Sequence, residues 1–327
     1  MKHQKLSFFN FFLIFGVILA IKGCDSLDNR EAEIAQIEVD VVFDRFDQKF
    51  FNTAPDEFYA LKSQYPYLFP DQYHDSIWTK RQKDSLQVIL QTEIAEVFPS
   101  LDPFEKQIRS LYQHIKYYFP RQLDPPVIFL TNNVDYQNKT VYTDSLVLIS
   151  LDTFLGAKNE LYEGIPSYIV RDMDIAYLGA HLADEFAISV VPEPKDRTLL
   201  GQMIYYGKKL YIKDLLLPNE KDEIKISYSS KEIDWVADNE RFIWQYFIEN
   251  ELLYKTQTSF FQRFMEPAPF SKFYLEIDNE SPGKIGQWIG WQIVRSYAQK
   301  NPKMTPRQIL NLTSRDLFTA ANYKPAK

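Results

Sequence analysis

The sequence predicts an α+β fold, predominantly helical, with a small mixed sheet near mid-chain and helices packed around it. Three observations carry this reading. Two short apolar, β-rich runs stand close together, "PVIFLT" (Pro126–Thr131) and "SLVLISL" (Ser145–Leu151), and such runs are the mark of buried strands. Much of the remaining chain repeats apolar residues at helical spacing behind recognisable start signals. Of the 327 residues, 45% are hydrophobic and 16% aromatic, which is enough to fill a sizeable core.

The elements follow in order. "IEVDVVF" (Ile37–Phe43) alternates and is β-branched, so it reads as a strand. "DRFDQKFF" reads as a helix start, and residues Asp56–Gln64 and Thr79–Val97 as helices. Asp102 is a good N-cap with Pro103 at the first helical position. Phe104, Ile108, Leu111, Tyr112 and Ile115 then recur on one face until Pro120 ends the helix. "VYT" between the two apolar runs is a candidate third strand. Helices are expected over Ser167–Val190, Asp196–Leu216, Lys231–Tyr254, Pro282–Lys300 and Pro306–Leu312. Ser229 and Glu232 form a capping-box pattern before the third of these.

The N-terminus has the layout of a secretory signal. "MKHQK" is a positive n-region, "LSFFNFFLIFGVILAI" an apolar stretch of 16 residues, and "KGC" ends at Cys24. That stretch is short for a spanning helix. The chain's one cysteine sits directly after it, as in a bacterial lipoprotein box, where Cys24 takes the lipid and becomes the mature N-terminus. Ile21 and Lys22 depart from the small residues usual there. The expected organisation is a signal peptide over 1–23, a lipidated polar tether over 24–35 and a single globular domain over 36–327. The charge is −7, and losing Lys2, Lys5 and Lys22 leaves 34 basic against 44 acidic residues. Such a balance argues against a nucleic-acid partner.

Catalytic motifs are scarce. Beyond the signal only His74, His114 and His181 occur, with no H-E-x-x-H, no C-x-x-C and no glycine-rich phosphate loop. The sequence thus points to no metal and no cofactor. "AHLADEF" sets His181, Asp184 and Glu185 within one helical turn, as a metal or acid/base group or as a solvated helix face. Glu276, Asp278 and Glu280 alternate and share a face if extended. That suits a general acid and base or calcium. "ESPGK" favours instead helix capping and ion pairs with Lys272, Lys284 or Arg295, with Ser281 as N-cap and Pro282 at the first helical position. In that helix Gly286 and Gly290 lie four apart on one face. Each costs about 1 kcal/mol relative to alanine, so a second backbone is expected to cross closely there.

"APFSKFYLEIDNESPGKIGQWIGWQIVRSY" (Ala268–Tyr297) resembles the C-terminal signature of the gliding-motility lipoprotein family GldB of Bacteroidetes. "HIKYYFP" (His114–Pro120), "SLDTFLG" (Ser150–Gly156), "GKKLYIKDLLLP" (Gly207–Pro218), "WVADNERFIWQYFIENELLY" (Trp235–Tyr254) and "YKP" (Tyr323–Pro325) are similar to that family in order and spacing. The resemblance implies a membrane-anchored lipoprotein facing the periplasm. It would be required for gliding motility, linked to type IX secretion, and partnered by other envelope proteins of that machinery. It carries over no catalytic residues.

A more distant likeness, to gluzincin-type metallopeptidases, implies a zincin-like small mixed sheet with packed helices. Mapped onto that pattern, the zinc-ligand positions hold Asp172, Ala176 and Tyr206, none of them the usual ligand. Two functions follow. The first is a non-catalytic scaffold, with a groove or the edge strand Leu146–Leu151 taking up a peptide. The second is a residual metal-dependent hydrolase using His181 with Asp278 and Glu280.

Overall fold

The computed structural model describes residues 29–267, 273–274 and 276–325. Residues 1–28, with the expected signal peptide and Cys24, lie outside them, as does Lys272. The chain runs through helix α1 (residues 29–34) to strand β1 (Phe43–Asp44) and helices α2 (Phe46–Asn52), α3 (Phe58–Gln64), α4 (Asp75–Gln82), α5 (Ser85–Val97) and α6 (Asp102–Tyr118). Strands β2 (Val127–Leu130), β3 (Thr140–Tyr142) and β4 (Val147–Ser150) follow. The second half is helical: α7 (Ser167–Val170), α8 (Leu178–Val190), α9 (Leu199–Leu216), α10 (Asp222–Ile226), α11 (Ser230–Glu249), α12 (Thr258–Phe264), α13 (Ile285–Lys300), α14 (Pro306–Leu310) and α15 (Ser314–Ala321).

The sheet has the order β1-β2-β4-β3. β1, β2 and β4 are parallel, and β3 runs antiparallel along the edge. Side chains alternate across it, as the pleat requires. Val127, Phe129, Val147 and Ile149 face a core built with α6 and α8. Ile128 faces the opposite side, against Phe46, Phe50, Phe58 and Phe69. Both faces being covered, the strands are apolar throughout. A second core joins α9, α11, α12, α13 and α15 around Trp288, Trp291, Met203 and Phe247.

Several expected boundaries move, each for a local reason. Over Ile37–Phe43 only Phe43 joins a strand. The Gln113 amide donates to the Ala35 and Ile37 carbonyls, Lys116 donates to the Glu38 carbonyl, and Asp124 accepts from the Asp40 N–H. Side chains thus occupy the groups a neighbouring strand would use. Helix Thr79–Val97 is two helices, because Asp84 caps a fresh start by accepting from the Leu86 N–H. Helix Ser167–Val190 is broken by a bridge between Leu155 and Asp174, and a 3-10 turn over Ile175–Tyr177 precedes α8. The run Leu146–Leu151 is not an edge: β4 lies between β2 and β3, so it offers no free side for an added strand.

Ser281 is not a helix cap. Its N–H closes the preceding 3-10 turn on the Ile277 carbonyl, and α13 starts only at Ile285 behind Lys284. The crossing expected at Gly286 and Gly290 is present. A Cβ on Gly290 would overlap the Met203 carbonyl, and one on Gly207 would overlap the carbonyl of Gly290. A Cβ on Gly286 would come within 2.6 Å of the Met265 sulfur. Helices α9 and α13 therefore touch backbone to backbone.

Gly290→Ala gains about 1 kcal/mol of helix propensity but forces the two backbones apart, which costs about 1–3 kcal/mol or more. We expect a net loss of stability in urea-unfolding curves. An unchanged or raised midpoint would contradict the close crossing.

Candidate functional site: a lysine-lined pocket

The core helices leave a pocket of about 180 Å³ between α8, α9, α10 and the start of α13. Helix α8 presents His181 and Asp184 to it, three residues apart on one face. Helix α9 adds Tyr206, Lys209 and Lys213, again at helical spacing. Lys225 and Ser227 come from the end of α10, Lys284 and Gln287 from the beginning of α13, and Asp172 from the turn after α7.

The carboxylates here are spoken for. Asp184 meets the Lys213 ammonium at 2.6 Å, and the same ammonium donates to the Lys225 carbonyl at 2.6 Å. Asp172 has the Lys139 ammonium at 3.2 Å and the His181 ring at 3.6 Å. Burial alone would raise the Asp172 pKa, but His181, Lys139 and Lys284 outweigh it and hold the carboxyl well below the usual range. Burial likewise opposes ionisation of Asp184, and the charges of Lys213 and Lys209 reverse it. The His181 Nε2 donates to the Asp172 carbonyl at 3.1 Å, so that nitrogen is already engaged.

Behind the pocket stands a charged hub. Asp214 accepts from Arg295 at 2.6 and 2.8 Å, from the Trp291 indole at 2.8 Å and from Lys225 at 3.1 Å. Arg295 also makes two 2.7 Å bonds to Asp222 and lies 3.6 Å over the Trp291 ring. It is a planar fork whose edges hold two carboxylates and one of whose faces lies on an indole.

Two lysines stand apart. Among the described residues, no carboxylate oxygen lies within 4.0 Å of the Lys209 or Lys284 ammonium. Lys209 leans over the Tyr206 ring at 5.8 Å, and Lys284 donates to the Ile226 carbonyl at 3.1 Å. Burial pushes the Lys284 pKa down. Its backbone is left-handed, φ 59° and ψ 17°, which costs a lysine about 1–2 kcal/mol. Ser227, also on the pocket wall, has φ 58°. Backbone strain of this kind collects at functional sites.

The expected site residues fare unevenly. Asp172 and Tyr206 share the pocket. Ala176 lies in the 3-10 turn and not in the pocket wall, and neither it nor Asp172 is on an α-helix, so the zinc-ligand mapping of the first helix does not hold. Asp278 accepts from the Phe273 and Tyr274 N–H groups at 2.7 Å, while Glu276 and Glu280 point to solvent. None of these three reaches His181 in the pocket, because the turn over Glu276–Asn279 keeps them on the outer surface. Arg295 pairs with Asp214 and Asp222 instead. Among the described residues, no three His, Cys, Asp or Glu side chains converge to hold a metal ion. The sequence does not announce the lysines as a group: only Lys209 and Lys213 share a helix, and Lys225 and Lys284 join them through the fold.

The family model described as gliding motility protein GldB, a lipoprotein family, matches residues 28–325. The chain belongs to the GldB family. The match spans the sheet, the α9–α13 crossing and the pocket together. It includes Trp288 and Tyr323, whose polar ends meet on Glu240 at 3.0 and 2.7 Å. No curated protein and no solved structure matches the chain. Among the described residues, no helix is long and apolar enough to cross a membrane.

A larger cavity, about 580 Å³, lies between α9 and α14. Its most unusual group is Lys208, which is buried and donates to the Leu310 and Leu312 carbonyls at 2.8 and 2.7 Å. Burial lowers its pKa to about 8. The unfolded chain keeps that proton until pH approaches the ordinary lysine value, so wild-type stability rises with pH between those two values. Relative to Lys208→Met, wild type should gain about 2 kcal/mol between pH 7.5 and 10. Unfolding curves at the two pH values check this, and a difference independent of pH would show that the ammonium is not destabilised by burial.

Proposed function

We propose that this member of the GldB family is a non-catalytic scaffold of the cell envelope. It is tethered by lipid on Cys24, faces the periplasm and serves gliding motility together with the linked type IX secretion machinery. The family match over residues 28–325 carries the reading. The lipoprotein-like end of the signal at Cys24 supports it. So does the chemistry of the pocket: its carboxylates are neutralised by lysines, its histidine is engaged by a carbonyl, and no group is poised as a nucleophile with its base. Function then rests on holding partners, with the helical body of residues 36–327 acting as one domain on a short polar tether.

The test is complementation of a deletion strain. Wild type should restore gliding, and so should a His181→Ala/Glu280→Ala double variant. Cys24→Ser should leave the membrane fraction and fail to restore it. Loss of gliding in a folded double variant would point to chemistry at His181. A membrane-bound, motile Cys24→Ser strain would refute the lipid tether.

A further inference from the structure

We infer that the pocket between α8, α9, α10 and the start of α13 is a binding site for a phosphate group. Nothing in the envelope role above requires this, and it stands on the pocket alone.

Four lysines, Lys209, Lys213, Lys225 and Lys284, line the pocket against two carboxylates, Asp172 and Asp184. The wall thus has an excess of two positive charges in a chain whose net charge is −7. Four ammonium groups from three separate elements do not gather by chance of sequence neighbourhood, since like charges brought together repel. Lys213 and Lys225 are offset by Asp184 and Asp214. Lys209 and Lys284 act on Asp184 and Asp172 only from a distance, with no carboxylate oxygen within 4.0 Å among the described residues, so the wall's excess of two positive charges falls on them for a ligand to meet.

The position of Lys284 adds a second argument. It is the N-cap of the 16-residue helix α13, and no side chain caps that end. A helix N-terminus favours an anion, and an acid or a hydroxyl residue is the usual occupant. Here a lysine stands there, in a left-handed conformation that disfavours it, with its ammonium in a pocket that already holds others. Set against the protein's own groups alone, each of these choices is unfavourable. A dianion seated among Lys209, Lys284 and the end of α13 turns all of them favourable at once. Burial lowers the Lys284 pKa, and an anion beside it would oppose that shift.

Size sets the ligand class. About 180 Å³ is a few water volumes and lies below the pockets that hold whole cofactors. It suits a phosphate group, free or at the end of a larger molecule. The double charge excess favours a dianionic phosphate over a single carboxylate.

Titration calorimetry on the detergent-solubilised mature protein, with sodium phosphate at pH 7.5 and constant ionic strength, tests this. We expect saturable binding with a Kd of a few millimolar or tighter, not reproduced by chloride or acetate. Lys209→Gln should weaken it at least tenfold. Lys284→Gly should do the same while raising the melting temperature of the phosphate-free protein, because glycine accepts the positive φ. That rise separates loss of the site from loss of the fold. Competition by methyl phosphate would assign the site to a phosphomonoester. Binding of inorganic phosphate alone would assign it to the free ion. No saturable binding, equal binding of acetate, or affinity unchanged in both folded variants would overturn the inference.

Discussion

The contact of Gly207 with Gly290 is the constraint on which the rest of the helical half depends. Two backbones that meet at a pair of glycines have little freedom to slide or rotate, because any side chain there would collide with a carbonyl. Trp291 and Arg295 on α13 are thereby set against Asp214 on α9. Lys209 and Lys213 on α9 are set toward the start of α13, where Lys284 stands. On the outer side Trp288 is left to reach Glu240 of α11. The pocket, the charged hub and the indole contacts are thus consequences of a single close approach.

Charge is organised around that crossing in two ways. The hub of Asp214, Asp222, Arg295 and Lys225 is matched bond for bond, so its ions are held as a unit and breaking one member would strand the others. The neighbouring pocket is left unmatched on the positive side. A protein that carries a net excess of acid has placed a concentrated basic lining where the backbone is also strained, at Ser227 and Lys284. The contrast between a satisfied network and an unsatisfied one, a few residues apart, singles out the pocket.

Much of the architecture was legible in the sequence, and the failures have physical causes. The two apolar runs became β2 and β4, "VYT" became β3, and the glycine pair announced the helix crossing. Those signals are local or periodic. The start of α13 was misread because Ser281-Pro282 has the composition of a helix start while its N–H serves the preceding 3-10 turn. The strand at Ile37–Phe43 was overextended because Gln113 and Lys116, more than 70 residues away, take its carbonyls. The acids at 276–280 drew attention by their spacing, yet they lie on the surface. The lysines of the pocket come from separate helices and form no motif, so only the fold brings them together.

Native-state hydrogen exchange resolved by residue tests the central claim most directly. If the glycine crossing holds α9 and α13 as one unit, the amides of Met203–Lys213 and Ile289–Ser296 should exchange with a common opening free energy, the highest in the helical half. Exchange of α13 well ahead of α9, with α9 still protected, would show that the two helices open independently and that the crossing does not govern the structure.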